Sequence, residues 1–126
     1  MPWSIEYHDA GRIIEVVYSG MVRVVDLESS INATLAMADE KSTARMLVDV
    51  SAMQGGHTMM DLYAKMESAA PHPFVEPLRE ALILAPKALP NVLENVEFWA
   101  AGLRLRGIDV QIFVERDSAV KWLCRA

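Results

Sequence analysis

The chain has 126 residues, of which 52% are hydrophobic and 23% charged, with a net charge of −5 and a pI of about 5.1. That length and apolar share argue for one domain, 1–126, with its own core, and against a disordered chain. The acidic balance argues against nucleic acid as partner, no apolar run reaches the roughly 18 residues of a membrane span, and the start Met1-Pro2-Trp3-Ser4-Ile5-Glu6 lacks the regions of a signal peptide.

The first elements form a hairpin. Ile5 and Tyr7 alternate with Glu6 and His8, and Arg12 to Tyr18 is rich in β-branched residues. Asp9-Ala10-Gly11 between them is a three-residue loop in which Gly11 can take positive φ. Ser19-Gly20 should break the second strand. Asp26 then caps a helix over 26–41, with Leu27, Ile31, Leu35 and Ala38 on one face. Arg45 to Val50 reads as a strand covered on both sides, and residues 51–58 as a loop. Thr58 caps a second helix, whose buried face holds Met59, Leu62, Tyr63 and Met66. Three prolines between Ala70 and Pro77 forbid regular structure, so that stretch is a linker. Glu80 to Ala85 is a buried strand. Asn91 caps a helix bearing Val92, Val96, Trp99 and Leu103, and Gly107 ends it. Asp109 to Val114 is the last strand, and Asp117 begins a short helix with Ala119, Val120, Trp122 and Leu123 facing inward. Strands and helices alternate after the hairpin, which predicts parallel strands joined by right-handed crossovers.

This order resembles the STAS / SpoIIAA-like family of anti-sigma-factor antagonists, in particular its STAS/SEC14 branch. The residues that carry the likeness are Tyr18-Ser19-Gly20, Asp26-Leu27-Glu28, Met46 to Val50, Leu82-Ile83-Leu84, and Val110 to Val114 followed by Asp117 to Leu123. The resemblance implies an α/β fold: a five-stranded mixed sheet, antiparallel at the N-terminal hairpin and then parallel, with helices mainly on one face. It also implies a non-enzymatic module for regulation, protein contact or ligand binding, with no cofactor. Regulatory members carry an Asp-Ser-Ser-Gly-like phosphoacceptor motif after the third strand. Here that place reads Gln54-Gly55-Gly56-His57-Thr58-Met59-Met60-Asp61, so Thr58 is the nearest hydroxyl, with Ser51 a second candidate phosphoacceptor.

The residues themselves leave several sites open. Gly55, Gly56, His57 and Thr58 form a turn before a helix N-terminus, where converging N–H groups can hold a phosphate or carboxylate; the same residues can simply shape a turn and cap a helix. Asp49 and Ser51 end a strand, and an aspartate there most often accepts N–H bonds from the next loop. No Gly-x-Ser-x-Gly elbow accompanies them, so no catalytic residue is assigned. His8, His57 and His72 have no histidine or cysteine at ligand spacing, and the lone Cys124 can form neither a disulfide nor a zinc site. Met53, Met59, Met60 and Met66 cluster about the second helix and either fill a core or line an apolar groove with Phe74 of the linker. Val48, Val50, Val110, Ile112, Ile14 and Val16 share one sheet face; the other carries Glu15, Asp49, Gln111 and Phe113, and should be covered in part or by a second copy, making a homodimer. The expectation is a cytoplasmic module that binds a small apolar or anionic, lipid-like ligand at Gly55, Gly56, His57, Thr58, Met59, Met60 and Phe74. The alternative is a protein-interaction regulator switched by phosphorylation.

Overall fold

A computed structural model describes residues 1–125. The elements in chain order are β1 (Trp3–His8), β2 (Ile13–Met21), α1 (Val24–Lys41), β3 (Arg45–Gly55), α2 (Met59–Ala69), β4 (Arg79–Ile83), α3 (Pro90–Leu105), β5 (Asp109–Phe113) and α4 (Arg116–Leu123). The strands lie side by side in sequence order, β1 antiparallel to β2 and the rest parallel. This is the expected five-stranded mixed sheet.

That order decides where the helices go. A right-handed crossover moves the chain to the next strand on a fixed side of the sheet. Three successive crossovers in the same direction therefore stack α1, α2 and α3 on one face. They cover a core built from Ile14, Val16, Met46, Val50, Leu82 and Val110 on the strands and Leu27, Leu62, Met66, Val96 and Leu103 on the helices. The terminal helix α4 is no crossover and is free of this rule. It folds under the opposite face, where Ala119, Trp122 and Leu123 pack on Ile13, Leu47, Ala81 and Ile83. The second face is thus covered in part by the chain itself.

Glu15 ties α4 down. It is buried on that second face and takes both guanidinium nitrogens of Arg116, one at 2.8 Å, and His8 Nε2 at 2.8 Å. The Arg116 guanidinium holds its carboxyl below the usual carboxylate range against the opposing effect of burial.

Several boundaries differ from the expected ones. The hairpin connection has four residues, because Arg12 joins Gly11 at positive φ (55° and 81°). Helix α1 starts at Val24 with Arg23 as N-cap; Asp26 sits three residues further in, and its carboxylate accepts the Arg23 N–H at 2.9 Å. The N-cap of α3 is Leu89, with Pro90 at the first position, and α4 starts at Arg116 rather than Asp117. Met59 and Tyr63 are exposed, so the buried stripe of α2 reduces to Leu62 and Met66. Thr58 caps α2 as expected, its Oγ1 accepting the Asp61 N–H at 3.1 Å.

The largest difference lies at residues 51–55, which extend β3 instead of forming a loop, while Ser19 and Gly20 continue β2. β3 gains an extra residue between the Gly20–Met53 and Met21–Gly55 pairs and, before it, one where Val17 pairs with Asp49 and Ser19 with Ala52. The earlier bulge shifts the alternation by one. Met46 and Val50 face the core, and past the bulge Met53 does so too, while Ser51 and Ala52 stay exposed. At the end of β3 the backbone crosses Val22 closely: the Val22 N–H donates to the Gly55 carbonyl at 2.7 Å. A Cβ on Gly56, where φ is 106°, would lie 2.7 Å from the Val22 backbone.

Backbone cannot yield there as a flexible side chain would. Gly56→Ala is expected to destabilise the fold by about 2 kcal/mol or more. Gly20→Ala, at positive φ but with nothing within 4 Å, should cost about 1 kcal/mol. Urea denaturation of both checks this; equal losses would show that φ alone, not the crossing, demands the glycine.

Candidate functional site

The core under α1–α3 is not filled. Between the sheet and these helices lies a cavity of about 120 Å³. Its floor is short side chains, Val16, Val48 and Val50, together with Leu82. Leu27, Ile31 and Leu35 of α1, Leu62 of α2, and Val96, Trp99 and Leu103 of α3 form the roof. Ala70, Phe74 and Leu78 of the proline-rich connection close the end. Ile31, Leu35, Ala70, Phe74 and Leu78 are only half-buried, which places the mouth between α1 and that connection. Apolar cavities of about 150 Å³ stay dry and admit a molecule the size of benzene.

Five polar side chains besides the Trp99 indole line this apolar space, and four of them bond chiefly within the chain; Thr34 Oγ1 donates to the Ser30 carbonyl at 2.7 Å. The Tyr18 hydroxyl lies 2.5 Å from Ser30 Oγ, whose own proton goes to the Leu27 carbonyl, so Tyr18 is the donor. Burial pushes the Tyr18 hydroxyl up to about 12. Asn95 Nδ2 donates to the His57 carbonyl at 3.5 Å, and His57 Nδ1 meets the Val22 carbonyl at 2.7 Å. The fifth group is Glu80, 8% exposed on the interior strand β4. Its Oε2 accepts the Trp99 indole N–H at 2.7 Å; its Oε1 makes no hydrogen bond among the described residues. Burial pushes this carboxyl from 4.5 to about 7, and the Trp99 hydrogen bond only partly opposes it.

The expected site residues divide. His57 and Phe74 line the cavity; Gly55, Gly56, Thr58, Met59 and Met60 do not. Gly55 and Gly56 serve the crossing over Val22, and the Thr58 hydroxyl and N–H are both engaged with Asp61 in a capping box. Met60 projects into solvent. Ser51 donates its N–H and hydroxyl to Asp49 Oδ1 at 2.9 and 2.6 Å, which is the local turn expected of that aspartate. It borders a second depression with Gln54, Lys87 and Leu89. Glu80, Trp99, Tyr18 and Asn95 were not expected to share a site. The available clue was Glu80 itself: a carboxylate one step inside a strand that otherwise reads as buried on both faces.

The Glu80 carboxyl makes a prediction about pH. Between about 4.5 and 7 the folded chain holds a proton that the unfolded chain has lost. Stability therefore falls as pH rises through that window, by roughly 3 kcal/mol in all, and levels off above it. Glu15 acts with the opposite sign at lower pH, because its carboxyl is pushed down. The difference between wild type and Glu80→Gln isolates Glu80. Urea midpoints should show the variant gaining on wild type from pH 5 to pH 7; a constant difference would mean that Glu80 does not titrate there.

Comparisons with known proteins agree with this architecture. A crystal structure of an uncharacterized DUF3478-family protein with a SpoIIAA-like fold, from Shewanella loihica PV-4, superposes with a TM-score of 0.60 at 18% identity, over 97% of this chain and 92% of that one. None of the curated proteins matches the chain in sequence. The family model described as SpoIIAA-like matches residues 13–124, and it spans every element from β2 to α4. The chain belongs to the SpoIIAA-like family.

Proposed function

We propose that this protein is a non-enzymatic, cytoplasmic STAS-type module that binds a small apolar ligand in the cavity beneath α1–α3. The observation that carries the proposal is the coexistence of an unfilled apolar cavity and a buried acid in one small core. At about 24 cal/mol per Å³, an empty volume of this size costs about 3 kcal/mol. The ionised Glu80 costs a similar amount at neutral pH. Together these are a large part of the 5–15 kcal/mol that holds a domain of this kind. Filling the valine floor with larger side chains would remove the first cost, and a glutamine would remove the second. A site that takes a ligand accounts for both.

Less supports a phosphorylation-switched interaction module. The Thr58 hydroxyl already caps α2, and the Asp61 carboxylate sits at the same helix end, where it would repel a phosphoryl group. Nor does the cavity suit an anion, since no Lys or Arg lines it among the described residues. Among the described residues no helix is long and apolar enough to cross a membrane.

The test is binding of a neutral probe. Toluene should shift the Trp99 indole N–H resonance and raise the melting temperature. Ala70→Leu, which adds bulk at the mouth without leaving helical φ and ψ, should abolish the shift while keeping a folded spectrum. Toluene without effect on Trp99 in the wild type overturns the proposal. Native mass spectrometry of gently purified protein supplies the mass of any natural ligand.

A further inference from the structure

We infer that the cavity selects small apolar amines, and that Glu80 is the residue that sets this choice. The inference rests on the ligand-binding reading above and names the ligand's chemical class. Its basis is the hydrogen-bond inventory of the cavity wall. The Tyr18 hydroxyl is spent on Ser30, Asn95 Nδ2 on the His57 carbonyl, and His57 Nδ1 on the Val22 carbonyl. Glu80 Oε2 is spent on Trp99, and Oε1 on nothing among the described residues. The wall thus holds one carboxyl oxygen without a partner, beside Asn95 Oδ1 and His57 Nε2, which likewise make no hydrogen bond among the described residues; among those residues it contains no acid besides Glu80 and no Lys or Arg.

The sign of the charge follows. An anion entering this space would meet a carboxyl and no cation, in surroundings where charges are little screened. A neutral alcohol would gain one ordinary hydrogen bond. An alkylammonium would donate to Oε1 as a charge-assisted bond, about twice as strong as the neutral one. It would also supply the counter-charge that this buried carboxylate lacks. Trp99, Tyr18 and Phe74 add aromatic surface, which favours a cation over other polar groups of the same size. The volume limits the ligand to about the size of a single ring.

The same arrangement sets a pH dependence. The carboxylate that pairs with the ammonium must lose its proton, and burial holds that proton to about 7. Two other titratable groups face Glu80 across the cavity, Tyr18 from β2 and His57 from the β3–α2 connection; α1, α2, α3 and the 70–78 connection contribute none to the wall. Tyr18, pushed up by burial, keeps its proton throughout.

Benzylamine, benzyl alcohol and benzoate, titrated against the full chain with the Trp99 indole resonance as readout, test the inference. At about pH 8 benzylamine should bind about tenfold more tightly than benzyl alcohol, and benzoate at least about tenfold more weakly than the alcohol. Below pH 7 the benzylamine affinity should fall by about tenfold per unit, with the alcohol changing little. In Glu80→Gln, benzylamine should drop to the level of benzyl alcohol. If the alcohol binds and benzylamine shows no preference, or benzoate binds best, the amine selectivity is overturned and the ligand site stands. If none of the three moves the Trp99 resonance, both readings fall. Should Glu80→Gln fail to fold, the wild-type pH series decides: an amine affinity that stays flat below pH 7 overturns the inference.

Discussion

The handedness of the crossovers is the constraint on which the rest of this molecule depends. With strands in sequence order, three right-handed connections must lie on one side. Three helices over five short strands then enclose a volume that the side chains have to fill, and the valines of β2 and β3 do not reach far enough to fill it. The opposite face has only α4 above it, and there packing is dense: Leu47, Ala81, Ala119 and Leu123 show no more than trace exposure. One face acts as the solid half of the core, and the other has room to spare. Stability drawn from the first allows the second to remain imperfectly packed.

The chain order was legible because each crossover needs its own strand, helix and punctuation, and the sequence supplies them at separate places. Gly11, Thr58 and Gly107 each mark a turn or cap that is needed only there. The end of β3 was not legible, for an equally local reason. A period of two reads Met46, Val48 and Val50 as one face and then meets Ser51, Ala52 and Met53 out of phase. An extra residue in the ladder restores Met53 to the core, but no residue type announces a bulge of this kind. The Gly55-Gly56 pair follows it directly. Those glycines suggest an anion-holding turn when the chain is read alone, whereas the neighbours a Cβ would meet are Val22 for Gly56, more than thirty positions earlier, and the Asn91 side chain for Gly55, more than thirty positions later.

The methionine cluster offers, as one of two readings, an apolar groove that includes Phe74, and the cavity ends on Ala70, Phe74 and Leu78. What composition could not supply is which residues share the cavity wall with Glu80. Trp99 comes nineteen positions later on another element, Tyr18 from β2, and Asn95 from one turn before Trp99. Only register makes them neighbours: Met46, Glu80 and Val110 pair across the sheet and face the same helices. A reading based on local spacing finds faces and caps. A site assembled across three strands and four connections has no local spacing to find.

Glu15 and Glu80 show how far residue type falls short of role. Both are glutamates on interior strands, and both are 8% exposed. Glu15 faces the α4 side, where Arg116 and His8 supply positive partners, so its charge is favoured and its carboxyl is pushed down. Its lone pairs are committed, and it serves as a fastening for the terminal helix. Glu80 faces the α1–α3 side, where the indole of Trp99 supplies one neutral donor. Burial there outweighs the hydrogen bond, the carboxyl is pushed up, and one oxygen stays uncommitted. A single step of register separates the two outcomes, because alternate residues of a strand face opposite sides of the sheet. The buried acid with a full set of partners holds the fold; the buried acid without one gives the cavity its chemistry.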